Sequence, residues 1–270
     1  MLSGADAQAL RTFTSSAILD LKHGFSDTYG LLFKRGSQDT FKSYFLQRAA
    51  ALGSRAAAVK ELEDKRWGLG DVPIYNVILM FLRMEKDRRD DYIALARFLI
   101  DEAKIPVDGV DMTGTSAMMY AISTMPYVEP EFAQMLFDAG AKIKHRNRFG
   151  CTAAMDIVTC YQHDVPTRKN HANMLRWYIE HGGDLDIPDG DGMKASDLAY
   201  MMKQVIPEFG EPNDTVQAGP RMSASMICYQ CLQVAAASAP ALPCCARCKS
   251  VNYCSRDCQK LAWKSHKPIC

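Results

Sequence analysis

The sequence predicts a mainly α-helical protein in two parts, a helical repeat solenoid followed by a small metal-built module, and three observations lead there. A helix-opening pattern recurs at Gly114, Gly150 and Gly192, 36 and 42 residues apart, as in stacked repeat architectures. Eight potential metal ligands, Cys228, Cys231, Cys245, Cys248, Cys254, Cys258, His266 and Cys270, follow at short fixed intervals. Between them, residues 207–227 carry Pro207, Pro212 and Pro220 with little aliphatic content, the composition of a linker.

Residues 1–67 are apolar-periodic without a repeat. Terminal units of a solenoid must hide a hydrophobic face, so this stretch reads as an N-terminal helical cap. Residues 68–206 hold the repeats. A helix near Val72 to Met84 is followed by the closing Phe98-Leu99-Ile100-Asp101-Glu102-Ala103-Lys104-Ile105. The opening Gly114-Thr115-Ser116-Ala117 then leads to a closing from Met135 to Ile143. Gly150-Cys151-Thr152-Ala153 leads to one from Met174 to Leu185, and Gly192-Met193-Lys194-Ala195 opens a further copy. The polar run His163 to Asn170, with Pro166, reads as a loop inserted between paired helices. These segments resemble ankyrin repeats, whose period is about 33 residues and whose opening carries a Thr-Pro step. That step is Ser116-Ala117, Thr152-Ala153 and Lys194-Ala195 here, so the match is degenerate, and three to four units are counted. The resemblance implies an extended protein-binding surface. Adjacent inter-repeat turns differ in sign, with Lys142, Lys144, Arg146 and Arg148 in one and Asp184, Asp186, Asp189 and Asp191 in the next, which makes each a candidate docking patch. No register of those acids fits a calcium loop, and Asp and Gly favour tight turns.

The ligands of residues 228–270 form four pairs, enough for two tetrahedral zinc ions with no open position, as in structural rather than catalytic sites. Cys244 lies beside Cys245, but only Cys245 keeps the two-residue spacing to Cys248. Tyr253-Cys254-Ser255-Arg256-Asp257-Cys258-Gln259, then Trp263 and His266-x3-Cys270, resembles a MYND finger. The HIT-type finger shares the ligand order but lacks that Gln and Trp. The MYND resemblance implies interleaved sites, with Cys228, Cys231, Cys254 and Cys258 on one zinc and Cys245, Cys248, His266 and Cys270 on the other. It also implies a shallow groove for proline-containing peptides, lined by Gln259 and Trp263. Four residues apart, they share a helical face, and Trp263 fits a small zinc-covering core as well as it fits that groove.

Composition narrows the function. Lys plus Arg number 32 against 31 for Asp plus Glu, so no global field draws the chain to nucleic acid or an anionic membrane. In the finger, Arg247, Lys249, Arg256, Lys260, Lys264 and Lys267 face only Asp257, but seven thiolates and two Zn2+ bring that excess to about +2. A start without a basic and apolar leader, no bilayer-length apolar run, and paired Cys-x2-Cys steps point to an intracellular protein of cytoplasm or nucleus. No phosphate loop, nucleophile motif or SET-type methyltransferase motif is visible. The expectation is a non-enzymatic adaptor with two structural zinc ions, a proline-containing peptide at the finger and an unknown protein at the repeats. A ubiquitin-ligase adaptor or regulatory subunit is the alternative, and a nucleic-acid-binding regulator a more distant one.

Overall fold

The computed structural model describes residues 1–17, 24–123, 128–159, 165–202, 228–230, 242–249, 251–267 and 270. The chain divides into two compact units, Met1–Asp214 and Thr215–Cys270. The described residues are helical, with isolated β-bridges and no strand. The expected linker, residues 207–227, lies outside them.

In the first unit, α1 (Gly4–Ala17) precedes three helices with local stop and start signals: α2 (Thr28–Arg35), α3 (Gln38–Ala51) and α4 (Arg55–Asp64). Asp27, Ser37 and Ser54 cap their N-termini by accepting from Gly30 N, Thr40 N and Ala57 N. Gly36, at φ +62°, ends α2 in the left-handed conformation that residues with a Cβ avoid. Tyr29, Phe33, Phe41, Phe45 and Trp67 bury their rings against one another and against the next helices. Asp27 also accepts from Trp67 Nε1 at 3.1 Å and pairs with Lys65. Burial opposes its ionisation, but Lys65, the Gly30 amide and Trp67 outweigh that and hold its carboxyl below the usual range.

Beyond Trp67 the chain runs in helix pairs. α5 (Ile74–Met84) is nearly all apolar, and eight of its residues are buried, as a helix with neighbours on every side requires. It packs on α6 (Arg89–Arg97), which continues as a π-helical turn, Phe98–Ala103. α7 (Ala117–Ile122) packs on α8 (Pro130–Asp138), and α9 (Ala153–Val158) on α10 (Val165–Glu180). The first helices of successive pairs stack in a column, α5 on α7, α7 on α9, α9 on α11 (Ala195–Met202). Across the outer helices, Arg89 of α6 reaches Glu129 and Glu131 at the start of α8. The expected inserted loop at 163–170 is corrected in part: residues 165–170 are the first turns of α10, while 160–164 lie outside the described residues. Pro166 is no obstacle there, because the first helical amides have no intrahelical acceptor to lose.

Each pair is preceded by the same turn. Asp111 Oδ1 accepts from Thr113 N and Thr115 N, Asn147 Oδ1 from Phe149 N and Cys151 N, and Asp189 Oδ1 from Asp191 N and Met193 N, all between 2.8 and 3.1 Å. Three residues on, Gly114, Gly150 and Gly192 take φ of +76°, +76° and +85°. Backbone bonds tie each turn to the one before it: Met112 N to Gly70 O at 2.8 Å, Arg148 N to Thr113 O at 2.8 Å and Gly190 N to Phe149 O at 2.7 Å. The Gly68 to Asp71 turn joins this ladder with its residue types exchanged, a glycine in the Asx place and Asp71 left-handed at φ +51°. The clustered acids at 184–191 are thus turn makers, Asp186 accepting from Ser196 Oγ at 2.7 Å and Asp189 through its amides. Arg146 is also engaged. Its guanidinium donates to Gly150 O and Pro188 O, bridging two turns.

Candidate metal centre

The second unit's ligands are positioned by short backbone pairings. Cys244 and Asn252 form an antiparallel bridge, with Cys245 N donating to Val251 O at 2.8 Å and Tyr253 N to Pro243 O at 2.9 Å. Tyr229 N donates to Asn252 O at 2.7 Å, which brings the Cys228 stretch alongside. The Cys245 to Cys248 step turns back on itself through Lys249, left-handed at φ +55°, whose amide donates to Cys245 O. Ser255 then caps α12 (Arg256–His266), accepting from Cys258 N at 3.1 Å. Cys254 thus lies just before the helix, Cys258 in its first turn and His266 at its last residue.

This frame gathers two ligand groups. The donor atoms of Cys245, Cys248, His266 and Cys270 all lie within 4.8 Å of one another, and so do those of Cys228, Cys254 and Cys258. Cys231, expected with the second group, lies outside the described residues. Cys245 is buried and within the first group, whereas Cys244 is exposed and outside it. Cys245 Sγ is 3.7 Å from Cys270 Sγ, and Cys248 Sγ 3.4 Å from His266 Nε2. Sulfurs bound to one tetrahedral zinc at about 2.3 Å stand about 3.8 Å apart, so the spacing fits.

The protonation of the group points the same way. The Cys245 thiol is pulled down to about 6, first by the Cys248 amide and then by His266, while burial and the shared Cys245 contact push Cys270 up to about 11. Two thiolates this close cannot both ionise without a cation between them, and a divalent ion removes that conflict. Four closed-shell N and S donors suit zinc.

The sequence offered Trp263 as a small zinc-covering core but did not single out Tyr229 and Tyr253 beside it. Tyr229, Tyr253 and Trp263 all set their rings against His266, with centroids 5.5, 6.3 and 6.1 Å away. Among the described residues of the unit, Cys228, Cys245, Tyr253 and Ala262 form a buried hydrophobic cluster, and His266 is buried with them. The available signal was position, since Tyr229 directly follows one ligand and Tyr253 directly precedes another. Tyr229 Oη, Tyr253 Oη and His266 Nδ1 are buried without a partner among the described residues. Burial, and the nearby Cys245 sulfur, raise Tyr253 to about 12. Gln259 is half-buried, and Trp263, one helical turn on, keeps 38% of its surface exposed beside Leu261 at 70%.

None of the curated proteins compared with this chain matches it. Residues 228–270 match the family model of the MYND finger, a protein-interaction zinc finger, and with it structural zinc binding.

Proposed function

We propose that the chain is a non-enzymatic adaptor with two interaction surfaces. Residues 68–206 are ankyrin-type repeats behind a helical cap drawn from residues 1–67, and residues 228–270 are a MYND finger on a tether, holding two structural zinc ions. The observation that carries the repeat reading is the recurring Asx turn at 111, 147 and 189, at the same 36- and 42-residue intervals as the glycine openings. Repeated turns linked by one backbone bond each make a continuous edge, and a stacked column of helices keeps it rigid. The finger's assignment as Cys228, Cys231, Cys254 and Cys258 on one ion and Cys245, Cys248, His266 and Cys270 on the other leaves neither ion an open position, which favours binding over catalysis.

Trp263 supports peptide capture, because an exposed indole beside a half-buried Gln259 offers an apolar plane and an amide to a polyproline-type segment, which lacks most N–H donors. The test uses the full chain and labelled proline-containing peptides, read by fluorescence anisotropy with zinc content measured on the same samples. Two zinc per chain and saturable binding lost in Trp263→Ala, with zinc retained, is the expected result. Equal binding by the Trp263→Ala chain refutes the groove.

A further inference from the structure

The edge formed by the Asn147 and Asp189 turns is not bare. Leu2 N donates to Arg148 O at 2.6 Å, and Gly4 N to Asp191 Oδ1 at 3.4 Å. Arg146, which bridges the two turns, brings a guanidinium nitrogen 3.1 Å from Met1 Sδ. Arg11 lies over the Phe149 ring, 4.6 Å from its centroid. The backbones approach closely: a Cβ at Gly190 would meet the Leu2 carbonyl oxygen at 2.6 Å, as well as the Phe149 carbonyl oxygen at 2.9 Å.

The segment on this surface has the character of a ligand more than of a core element. Of residues 1–13 only Ala7 is fully buried; Leu2, Leu10 and Arg11 are half-buried, and Phe13 keeps 44% of its surface exposed. Ala7 and Arg11 are one helical turn apart on the same face of α1. A helix of this length is marginal by itself, so its order depends on docking, and so little burial holds it weakly. The contacts of Leu2, Gly4 and Arg11 are to a backbone carbonyl, one carboxylate and one aromatic face, which a different peptide can satisfy.

We propose that the face of the Asn147 and Asp189 turns is a peptide-docking surface whose resident occupant is this chain's own segment Met1–Arg11, so that a partner gains the site by displacing it. The partner chemistry is that of the occupant: a short helical segment with a small residue on its buried face and an arginine one turn later, preceded by a non-helical stretch whose amide bonds Arg148 O. The inference deepens the reading of residues 68–206 as an interaction surface and rests on it.

The test is anisotropy of a fluorescein-labelled synthetic peptide of residues 1–17 against the full chain, a chain lacking residues 1–17, and the full chain carrying Ala7→Glu. The tethered segment competes at an effective concentration of order mM, so the truncated chain binds the peptide saturably and the full chain roughly tenfold or more weakly. Ala7→Glu, which cannot seat a carboxylate where Ala7 has no exposed surface, restores binding. Peptides bearing Ala7→Glu or Arg11→Ala lose it. Absence of binding to a truncated chain that keeps its helical circular dichroism overturns the proposal, as does equal binding by full and truncated chains. A full-length dimer that dissociates on truncation overturns it too, by assigning the segment to a second copy. If the truncated and Ala7→Glu chains both lose their helical signal, the segment is structural and the proposal is again overturned. The Trp263 peptide assay does not involve this segment, so failure here and failure of the adaptor reading are told apart.

Discussion

Replacing Asp111 by alanine should destabilise the helical unit more than any other single change in the turns. Asp111 is 5% exposed and accepts four bonds: from Thr113 N at 2.8 Å, Thr113 Oγ1 at 2.6 Å, Thr115 N at 3.0 Å and, through Oδ2, Tyr120 Oη at 2.7 Å. Thr113 Oγ1 has a second partner, Thr115 Oγ1 at 2.7 Å, so three donors lose their acceptor. At about 1 to 1.5 kcal/mol for each of the three buried donors left without an acceptor, the cost is about 3 to 4.5 kcal/mol. For a unit of this size each kcal/mol moves the midpoint by about 2 to 4 °C, so thermal unfolding followed by far-ultraviolet circular dichroism should fall by roughly 10 °C. Asp111→Asn keeps the Oδ1 acceptor and turns its amide to Tyr120 Oη, which can accept, so it should lose only about 1 kcal/mol. Zinc content should be unchanged in both. An alanine variant within 1 kcal/mol of the parent would show that the side chain does not hold the turn.

Other outcomes follow from individual residues. Cys244→Ser should keep the full zinc content, whereas Cys245→Ser or His266→Ala should lose metal and the fold of residues 228–270 without moving the midpoint of the helical unit; elemental analysis with calorimetry decides, and zinc loss in Cys244→Ser refutes the ligand set. Asp27, Glu61 and Glu131 are held below the ordinary carboxylate range, burial being outweighed by Lys65 and its neighbours for the first, and Arg48 and Arg89 being the chief causes for the others. Depressed values stabilise the fold above the unfolded pKa and lose that contribution as acid protonates them, so denaturant midpoints should drop below pH 5, and less steeply in Glu131→Gln. Asp156 has the opposite sign: burial raises it to about 6, so its contribution is fully present below about 4 and is lost as pH rises through 6. Asp156→Asn should therefore gain on the parent by about 3 kcal/mol at most at pH 8, by about half of that at pH 5, and little at pH 4 or below; an equal difference at pH 8 and pH 4 refutes the assignment.

The finger was legible because ligand chemistry leaves few choices: sulfur and imidazole at Cys-x2-Cys and His-x3-Cys spacing must converge on metal or on each other. The repeat openings were legible for a related reason, since a left-handed position before a capped helix selects glycine, as at Gly114, Gly150 and Gly192. The Asx residues at 111, 147 and 189 were visible at fixed offset but not singled out, because Asp and Asn are common enough in loops to carry no signal without their partners. The first copy hid further, with Gly68 and Asp71 exchanging places while the backbone bond from Met112 N to Gly70 O repeats unchanged. Residues 165–170 misled because a polar, proline-bearing stretch reads as a loop wherever its helical register cannot be checked. The docking of residues 1–11 was not legible at all. It rests on the Leu2 amide and carbonyl, on two glycines and on Ala7, none of which differs in sequence from an ordinary helix start.

That distribution of visible and hidden features has a physical consequence for recognition. Each turn is held by one side chain, at 111, 147 or 189, and by backbone amides, so the two tip residues that follow are not needed for the turn itself. Those tips are Met112 and Thr113, then Arg148 and Phe149, then Gly190 and Asp191. Their backbone carries the ladder from turn to turn while their side chains differ, giving a methionine beside a buried threonine that bonds Asp111, a cation beside an aromatic ring, and a bare glycine beside an acid. A surface whose scaffold is fixed by main-chain bonds can change its chemistry at each step without losing its geometry. Gly190 is constrained by backbone: a Cβ there would meet the Leu2 carbonyl oxygen at 2.6 Å and the Phe149 carbonyl oxygen at 2.9 Å. Removing residues 1–17 separates the two sources: a loss of stability in Gly190→Ala that shrinks in the truncated chain comes from the docked segment, and one that persists comes from the neighbouring turn.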